Sequence, residues 1–219
     1  MSHDHSSLDP SHFTQEFWDD RYRTADRLWS GQPNAQLVAQ TTDLAPGEAL
    51  DAGCGEGADA IWLASRGWTV LAVDVSAVAL ERAASHATAQ GGEIAERISW
   101  QRVDIRDWDP APRQFDVVSA QFMHLPPPLL ETVHATLAAA VRPGGTFLVV
   151  SHHRDDLHVN VGRPEGPTHI FPTPDELAES LDPDVWEVVV AAAIGRPATD
   201  LDGKPVTLTD TVLRALRRP

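Results

Sequence analysis

The stretch LDAGCGEGADAIWLASRGW, residues 50–68, restricts the fold more than any other part of the chain. Gly53, Gly55 and Gly57 alternate between a short apolar run and the segment ADAIWLASR. Glycine permits turn conformations that other residues resist, and it lets the main chain approach a ligand closely. A tight turn alone would account for one or two glycines. Three in alternation, where a strand should end, point to a ligand-binding strand–turn–helix. Gly67 then stops the helix, and WTVLAVD (68–74) follows as a continuous apolar strand.

The same alternation recurs downstream. Ser76 can cap a second helix, and ISWQRVD (98–104), FDVVSA (115–120) and TFLVVS (146–151) read as further strands. A helix is expected over 126–141, closed by a turn at RPGG. Apolar strands without alternation suit a parallel sheet with helices on both faces. Upstream, Asn34 is a candidate N-cap for a helix carrying Leu37 and Val38, and Phe13, Phe17 and Trp18 sit at helical spacing. The end departs from the pattern. TPDE (173–176) is a capping box, and WEVVVAAAI (186–194) and VTLTDTVLRAL (206–216) form a hairpin around LDGKP. A hairpin cannot be a parallel crossover, so the last strand must run antiparallel.

Charge narrows the partners. The chain of 219 residues carries 32 acidic against 17 basic side chains, for a net charge of −15. Binding nucleic acid requires clustered Lys and Arg to displace counterions, and Lys204 is the sole lysine. The charge therefore disfavours nucleic acid as a partner, and a cationic or neutral small molecule is favoured. No apolar run approaches the ~20 residues of a membrane span, and the N-terminus lacks a secretory pattern. With Cys54 as the single cysteine, no intrachain disulfide can form. The expectation is a cytoplasmic protein without membrane contact, monomeric or homodimeric.

Acidic residues discriminate between ligands of the glycine turn. Gly53-x-Gly55-x-x-Ala58 satisfies the dinucleotide fingerprint, so an NAD-dependent oxidoreductase is one alternative. Asp51, however, stands at the end of the first strand, where a carboxylate would repel a pyrophosphate. It would attract S-adenosylmethionine (SAM), which carries a sulfonium and an ammonium. Asp74 ends the second strand, where it can accept both ribose hydroxyls. Asp104 ends the third and could accept the adenine amino group, with Ile105 and Trp108 beside the ring. Ligands of open α/β sheets occupy this crevice. The expected cofactor contacts are Trp29, Asp51, Gly53, Cys54, Gly55, Asp74, Val75, Asp104, Ile105 and Gln121.

LDAGCGEG, VLAVDVS, VDIRDW, FDVVSAQF and VRPGG resemble the successive motifs of class I SAM-dependent methyltransferases over roughly residues 48–151. FWDDRYRTADRLWSGQPN further resembles the branch of tellurite-resistance and thiopurine methyltransferases. The resemblance implies a Rossmann-like, seven-stranded, mostly parallel α/β sheet with helices on both faces and a C-terminal antiparallel hairpin. It also implies a methyl acceptor that is a small molecule and S-adenosylhomocysteine as product. Residues 1–34 would be a tail and lid, with Trp29 closing over the cofactor, and 35–219 the methyltransferase domain. A SAM-binding regulatory protein without catalysis is the other alternative.

Methyl transfer is an in-line displacement that needs alignment, exclusion of water and sometimes removal of a proton. His124, past the fourth strand, and His152, ending the fifth, are the candidate bases. No metal is expected, because the histidines lack zinc-site spacing. The place after the fourth strand reads SAQF, not the Asp/Asn-Pro-Pro-aromatic pattern of enzymes that methylate nucleic-acid amines. Sulfur, selenium, tellurium, oxygen and heterocyclic nitrogen acceptors stay open. Residues 152–172 are a candidate substrate lid.

Overall fold

The computed structural model describes residues 14–123, 125–156, 159 and 170–219. Its elements run α1 (Gln15–Arg23), α2 (Ala35–Thr41), β1 (Glu48–Ala52), α3 (Ala58–Ser65), β2 (Thr69–Asp74), α4 (Ala77–Gln90), α5 (Gly92–Ala95) and β3 (Ile98–Arg102). They continue as β4 (Phe115–Gln121), α6 (Pro127–Ala139), β5 (Val141–His152), α7 (Pro174–Glu179), β6 (Trp186–Thr199) and β7 (Pro205–Arg217). One seven-stranded sheet has the order β3-β2-β1-β4-β5-β7-β6. The strands from β3 to β5 pair in parallel, and β7 is antiparallel to both β5 and β6. The strand order reverses between β1 and β4, which leaves a crevice beyond their carboxyl ends.

The expected caps form. Asn34 accepts from the Gln36 N–H and Ser76 from the Ala79 N–H. Thr173 and Glu176 make the reciprocal capping box of α7. The short α5 was not foreseen. RPGG also differs from expectation, because β5 already begins at Val141. Phe115 pairs with Val141 but Val117 pairs with Thr146, so the extra residues bulge out and the strand resumes in register.

Two apolar cores flank the sheet. Leu130, Val133 and Leu137 of α6 and Leu177 of α7 fill one face. Leu37 of α2, Ala60 and Leu63 of α3 and Ala87 of α4 fill the other. Alternate residues of a strand share a face. Ala49, Ala72, Val117 and Val150 belong to the second core, so Asp51, Asp74, Gln121 and His152 have that core's parity. Strand periodicity thus delivers four polar side chains to the same side of the sheet at its carboxyl edge. Among the described residues, no helix is long and apolar enough to cross a membrane.

Candidate functional site

The glycine turn joins β1 to α3 with φ of 73° at Gly53, 52° at Gly55 and 84° at Gly57, all left-handed. A Cβ at position 57 would lie 2.7 Å from the Trp100 ring and 2.8 Å from the Ala83 Cβ. At position 55 it would lie 2.9 Å from the Tyr22 hydroxyl. Both φ and space therefore demand glycine at 55 and 57. At Gly53 the nearest atom, the Met123 Cε, is 3.6 Å from such a Cβ, so only φ constrains it. The Gly53 and Cys54 N–H groups both donate to the Val73 carbonyl, at 2.9 and 3.0 Å, which fastens the turn to β2.

Carboxylates surround this turn. Asp74 accepts from the Gly55 N–H at 2.8 Å and the Ser76 N–H at 2.9 Å. Asp51 is 2% exposed, and its Oδ2 makes no hydrogen bond among the described residues. Burial, then the neighbouring Asp59 and Asp74 carboxylates, push Asp51 well above the usual carboxylate range. Burial raises Asp59 to about 6, against the lowering effect of the Asn34 N–H. Asp74 is raised by burial despite its N–H donors. The Cys54 thiol is pushed up by burial and by Asp51 and Asp74. Every charged group that shifts Asp51 is itself an acid. A cation would relieve that repulsion.

Asp104 lies just beyond β3. It is held by Arg106 Nε at 2.8 Å and Nη2 at 2.5 Å, a pairing that lowers its pKa. Val75, Val103 and Asp104 line an open pocket with Gln15 and Arg102. Ile105 and Trp108 are half-buried against the core on the α6 side.

The N-terminal segment closes over the turn by contacts that sequence reasoning missed. Asp19 of α1, 7% exposed, accepts from the Ser76 hydroxyl at 2.6 Å and the Val78 N–H at 3.2 Å, docking α1 on the start of α4. Tyr22 is buried, and its hydroxyl over Gly55 accepts from Trp29 Nε1 at 3.0 Å. Trp29 remains 46% exposed. Asn34 donates its N–H to Asp59 at 2.6 Å and its side-chain amide to Gln121 at 2.9 Å. Gln121 in turn donates to Ser119 at 2.7 Å. The sequence marked Asn34 only as a cap, counted Tyr22 only among the aromatic residues of the lid segment, and left Glu56 and Asp59 without a role. Partners so far apart in the chain leave no local signal.

Beyond β4 the crevice turns aromatic. The Phe122 ring stacks on His152 with centroids 4.4 Å apart, and Phe171 lies 6.2 Å from His152. Phe122 has a left-handed φ of 52°, unusual for an aromatic residue, and its N–H donates to the Val150 carbonyl at 2.7 Å. Asp210 pairs with His152 across β7 and β5, is fully buried, and binds Arg196 Nε through both oxygens at 3.0 and 2.9 Å. His124 lies outside the described residues, as does most of 152–172. Among the described residues, no group of three or more His, Cys, Asp or Glu side chains could hold a metal ion.

Residues 49–145 match the family model of the methyltransferase domain. A 2-heptyl-1-hydroxyquinolin-4(1H)-one methyltransferase of Mycobacteroides abscessus is 29% identical over 126 residues, covering 56% of this chain and 54% of that protein. The chain spans about half the length of the curated relatives it matches. A solved structure described as showing conversion of a disulfide bond into a thioacetal group during echinomycin biosynthesis superposes with a TM-score of 0.71 and 22% identity. That match covers 93% of this chain and 91% of the other. TehB from Haemophilus influenzae gives 0.66 at 19% identity, covering 94% of this chain and 67% of its own. These likenesses establish the fold.

Proposed function

We propose that this chain is a class I SAM-dependent methyltransferase that transfers the methyl group of SAM to a small-molecule acceptor with a sulfur, selenium, tellurium, oxygen or heterocyclic nitrogen nucleophile, a reading supported by the match of residues 49–145 to a methyltransferase domain. The observation that supports the reading is the buried Asp51 Oδ2 beside the glycine cradle, without a hydrogen bond among the described residues and ringed by further acids. That surrounding fits a ligand bearing ammonium and sulfonium charge and disfavours a pyrophosphate.

When bound, SAM supplies a methyl group on a positively charged sulfur, a leaving group that needs no protonation. The residues of this chain do the rest. Asp74, at the carboxyl end of β2, accepts from ribose hydroxyls while it braces Gly55. Val75, Asp104 and Ile105 receive the adenine in the pocket between β2 and β3. Gly53, Cys54 and Gly55 present main chain without obstructing side chains, and Asp51 and Gln121 face the methionine portion. Trp29, on the segment before β1, covers the cofactor and excludes water. His152, or His124, takes a proton from acceptors that are not already ionised. Residues 1–34, of which 1–13 lie outside the described residues, serve in this reading as the N-terminal segment and lid of the domain of 35–219, which works in the cytoplasm on small molecules and not on nucleic acid or membranes.

Relatives named as a 2-heptyl-1-hydroxyquinolin-4(1H)-one methyltransferase and a ubiquinone biosynthesis O-methyltransferase support an oxygen acceptor carried on a ring. The Phe122, His152 and Phe171 side chains favour it too, since planar rings stack on aromatic surfaces. Calorimetry with SAM, S-adenosylhomocysteine and NAD, followed by an acceptor panel scored by S-adenosylhomocysteine release, tests the proposal. Tighter binding of NAD than of SAM would overturn it. SAM binding without turnover on any acceptor would favour a regulatory protein.

A further inference from the structure

Glu56 sits inside the glycine turn, between Gly55 and Gly57, and is only 5% exposed. A buried carboxylate must be matched by donors, and those of Glu56 come from far away in the chain. Its Oε2 accepts from the Leu28 N–H at 3.1 Å and the Trp29 N–H at 3.1 Å. Its Oε1 accepts from Arg82 Nη1 of α4 at 3.1 Å and, more weakly, from the Leu28 N–H at 3.3 Å. One turn further along α4, His86 Nδ1 meets the Glu56 main-chain carbonyl at 3.2 Å. The carboxylate thus joins two main-chain amides of the N-terminal segment to the turn and is held in place from α4.

We infer that Glu56 is a positioning residue, a latch that sets the Trp29 turn over the glycine cradle and slows release of the cofactor. The inference rests on the SAM reading above. Main-chain amides, not side chains, make the contact, so Glu56 dictates the path of residues 28 and 29 whatever their side chains. That path places Trp29 Nε1 on the Tyr22 hydroxyl, which in turn lies over Gly55. The two ends of the arrangement therefore belong to one short loop: Gly55 lies under the cover, and Glu56, the next residue, fastens it. Any movement of the turn on cofactor binding is passed directly to the segment above it. Charge matters as well as shape. An amide at position 56 would direct an N–H₂ group toward donors that the carboxylate now satisfies from both oxygens.

Glu56→Gln tests this. The full chain is mixed with SAM and then chased with excess S-adenosylhomocysteine to read SAM dissociation, while hydrogen exchange reads the Leu28 and Trp29 amides. SAM is expected to leave the variant about ten- to a hundred-fold faster, the scale of losing charge-assisted hydrogen bonds. KM for SAM should rise accordingly while kcat at saturating SAM changes far less, and the melting temperature without ligand should fall because Arg82 and the two amides lose a charged acceptor. Exchange at residues 28 and 29 should accelerate. Unchanged SAM release from the variant would overturn the latch while leaving the cofactor reading intact. Failure of the wild-type chain to bind SAM would overturn the cofactor reading and the latch with it. If the variant melts too early to assay, exchange in the wild-type chain decides: amides at 28 and 29 that gain no protection when SAM binds would overturn the latch.

Discussion

On one side of the crevice Asp74 accepts from Gly55 and from Ser76, two residues on, around a turn written in alternating glycines. On the other, His152 meets Phe122 only because β4 and β5 pair in the observed register, with Gln121 beside Val150. The first side is made mainly of main-chain groups and short carboxylates whose conformations are set locally. The second is made of large side chains whose positions depend on strand register and on a strained Phe122. Main chain can serve the same ligand in many proteins, whereas side chains arranged by register can be exchanged without disturbing the fold. Under the proposed function, the contrast suits the first side to a common cofactor and the second to choice of acceptor.

The largest expected effect breaks the first side. Gly57→Ala must place a Cβ 2.7 Å from Trp100 at a left-handed φ, whereas Gly53→Ala meets nothing closer than 3.6 Å. Gly57→Ala should cost about 3 kcal/mol or more of stability and Gly53→Ala about 1 kcal/mol, as chemical denaturation would measure. Equal costs would mean that φ alone, not packing against α4 and β3, governs the turn.

Next comes the second side. His152→Ala is expected to lower kcat about a hundred-fold for acceptors that must lose a proton, with SAM affinity nearly unchanged. Acceptors already ionised at the assay pH should be insensitive. A pH–rate series with a phenol and a more acidic analogue separates these outcomes. Equal losses for both would make His152 part of the acceptor wall that it forms with Phe122 and not a base.

Asp74→Ala should act on the cofactor and not on the acceptor, weakening SAM by about ten- to a hundred-fold in calorimetry. Because Asp74 also holds the Gly55 N–H, the ligand-free melting temperature should fall with it. Asp74→Asn keeps one acceptor oxygen and should restore part of both. A loss of affinity with no loss of stability would show that the brace on Gly55 contributes little.

The difference between the two sides also governs what could be read beforehand. Asp51, Gly53, Gly55 and Asp74 were legible because each marks a strand end or a turn, features encoded within a few residues. The sheet and its terminal hairpin were legible for the same reason. Glu56 and Asp59 were not, since their partners at residues 28, 29 and 34 lie in another segment and only folding joins them. RPGG has the composition of a turn, yet pairing with β4 outweighs that preference and draws it into β5. Asp104 was expected to end the third strand, but β3 stops at Arg102, and the pairing of Asp104 with Arg106 was overlooked. The Phe122–His152 stack required a register that no periodicity specifies.

The smallest expected effect sets the two sides against each other through pH. On the glycine side, Asp59 has its pKa raised to about 6 in the folded chain, chiefly by burial. Between its ordinary value and 6 the folded state binds more protons than the unfolded one, so stability falls as pH rises through that window. On the opposite face, His134 of α6 is buried against Phe147 with no hydrogen bond at Nε2 among the described residues, and burial lowers its pKa to about 4. Between 4 and its ordinary value the unfolded state binds more protons, so here stability is lost as pH falls. The two slopes oppose each other and flatten the wild-type profile. Asp59→Asn keeps an acceptor for the Asn34 N–H and removes the titration. It should match the wild type near pH 4 and exceed it by about 1–2 kcal/mol above pH 6, or roughly 2–8 °C in melting temperature for a chain of this size. Its remaining profile combines the rise from His134 with the falls that the raised Asp51 and Asp74 carboxylates contribute, and adding His134→Leu should remove the rise alone. A Tm difference between Asp59→Asn and wild type that does not grow with pH would mean that Asp59 is already ionised at pH 4. An ionised Asp59 would then add its charge to the repulsion around Asp51 over the whole range and keep this corner of the crevice receptive to a cation even at pH 4.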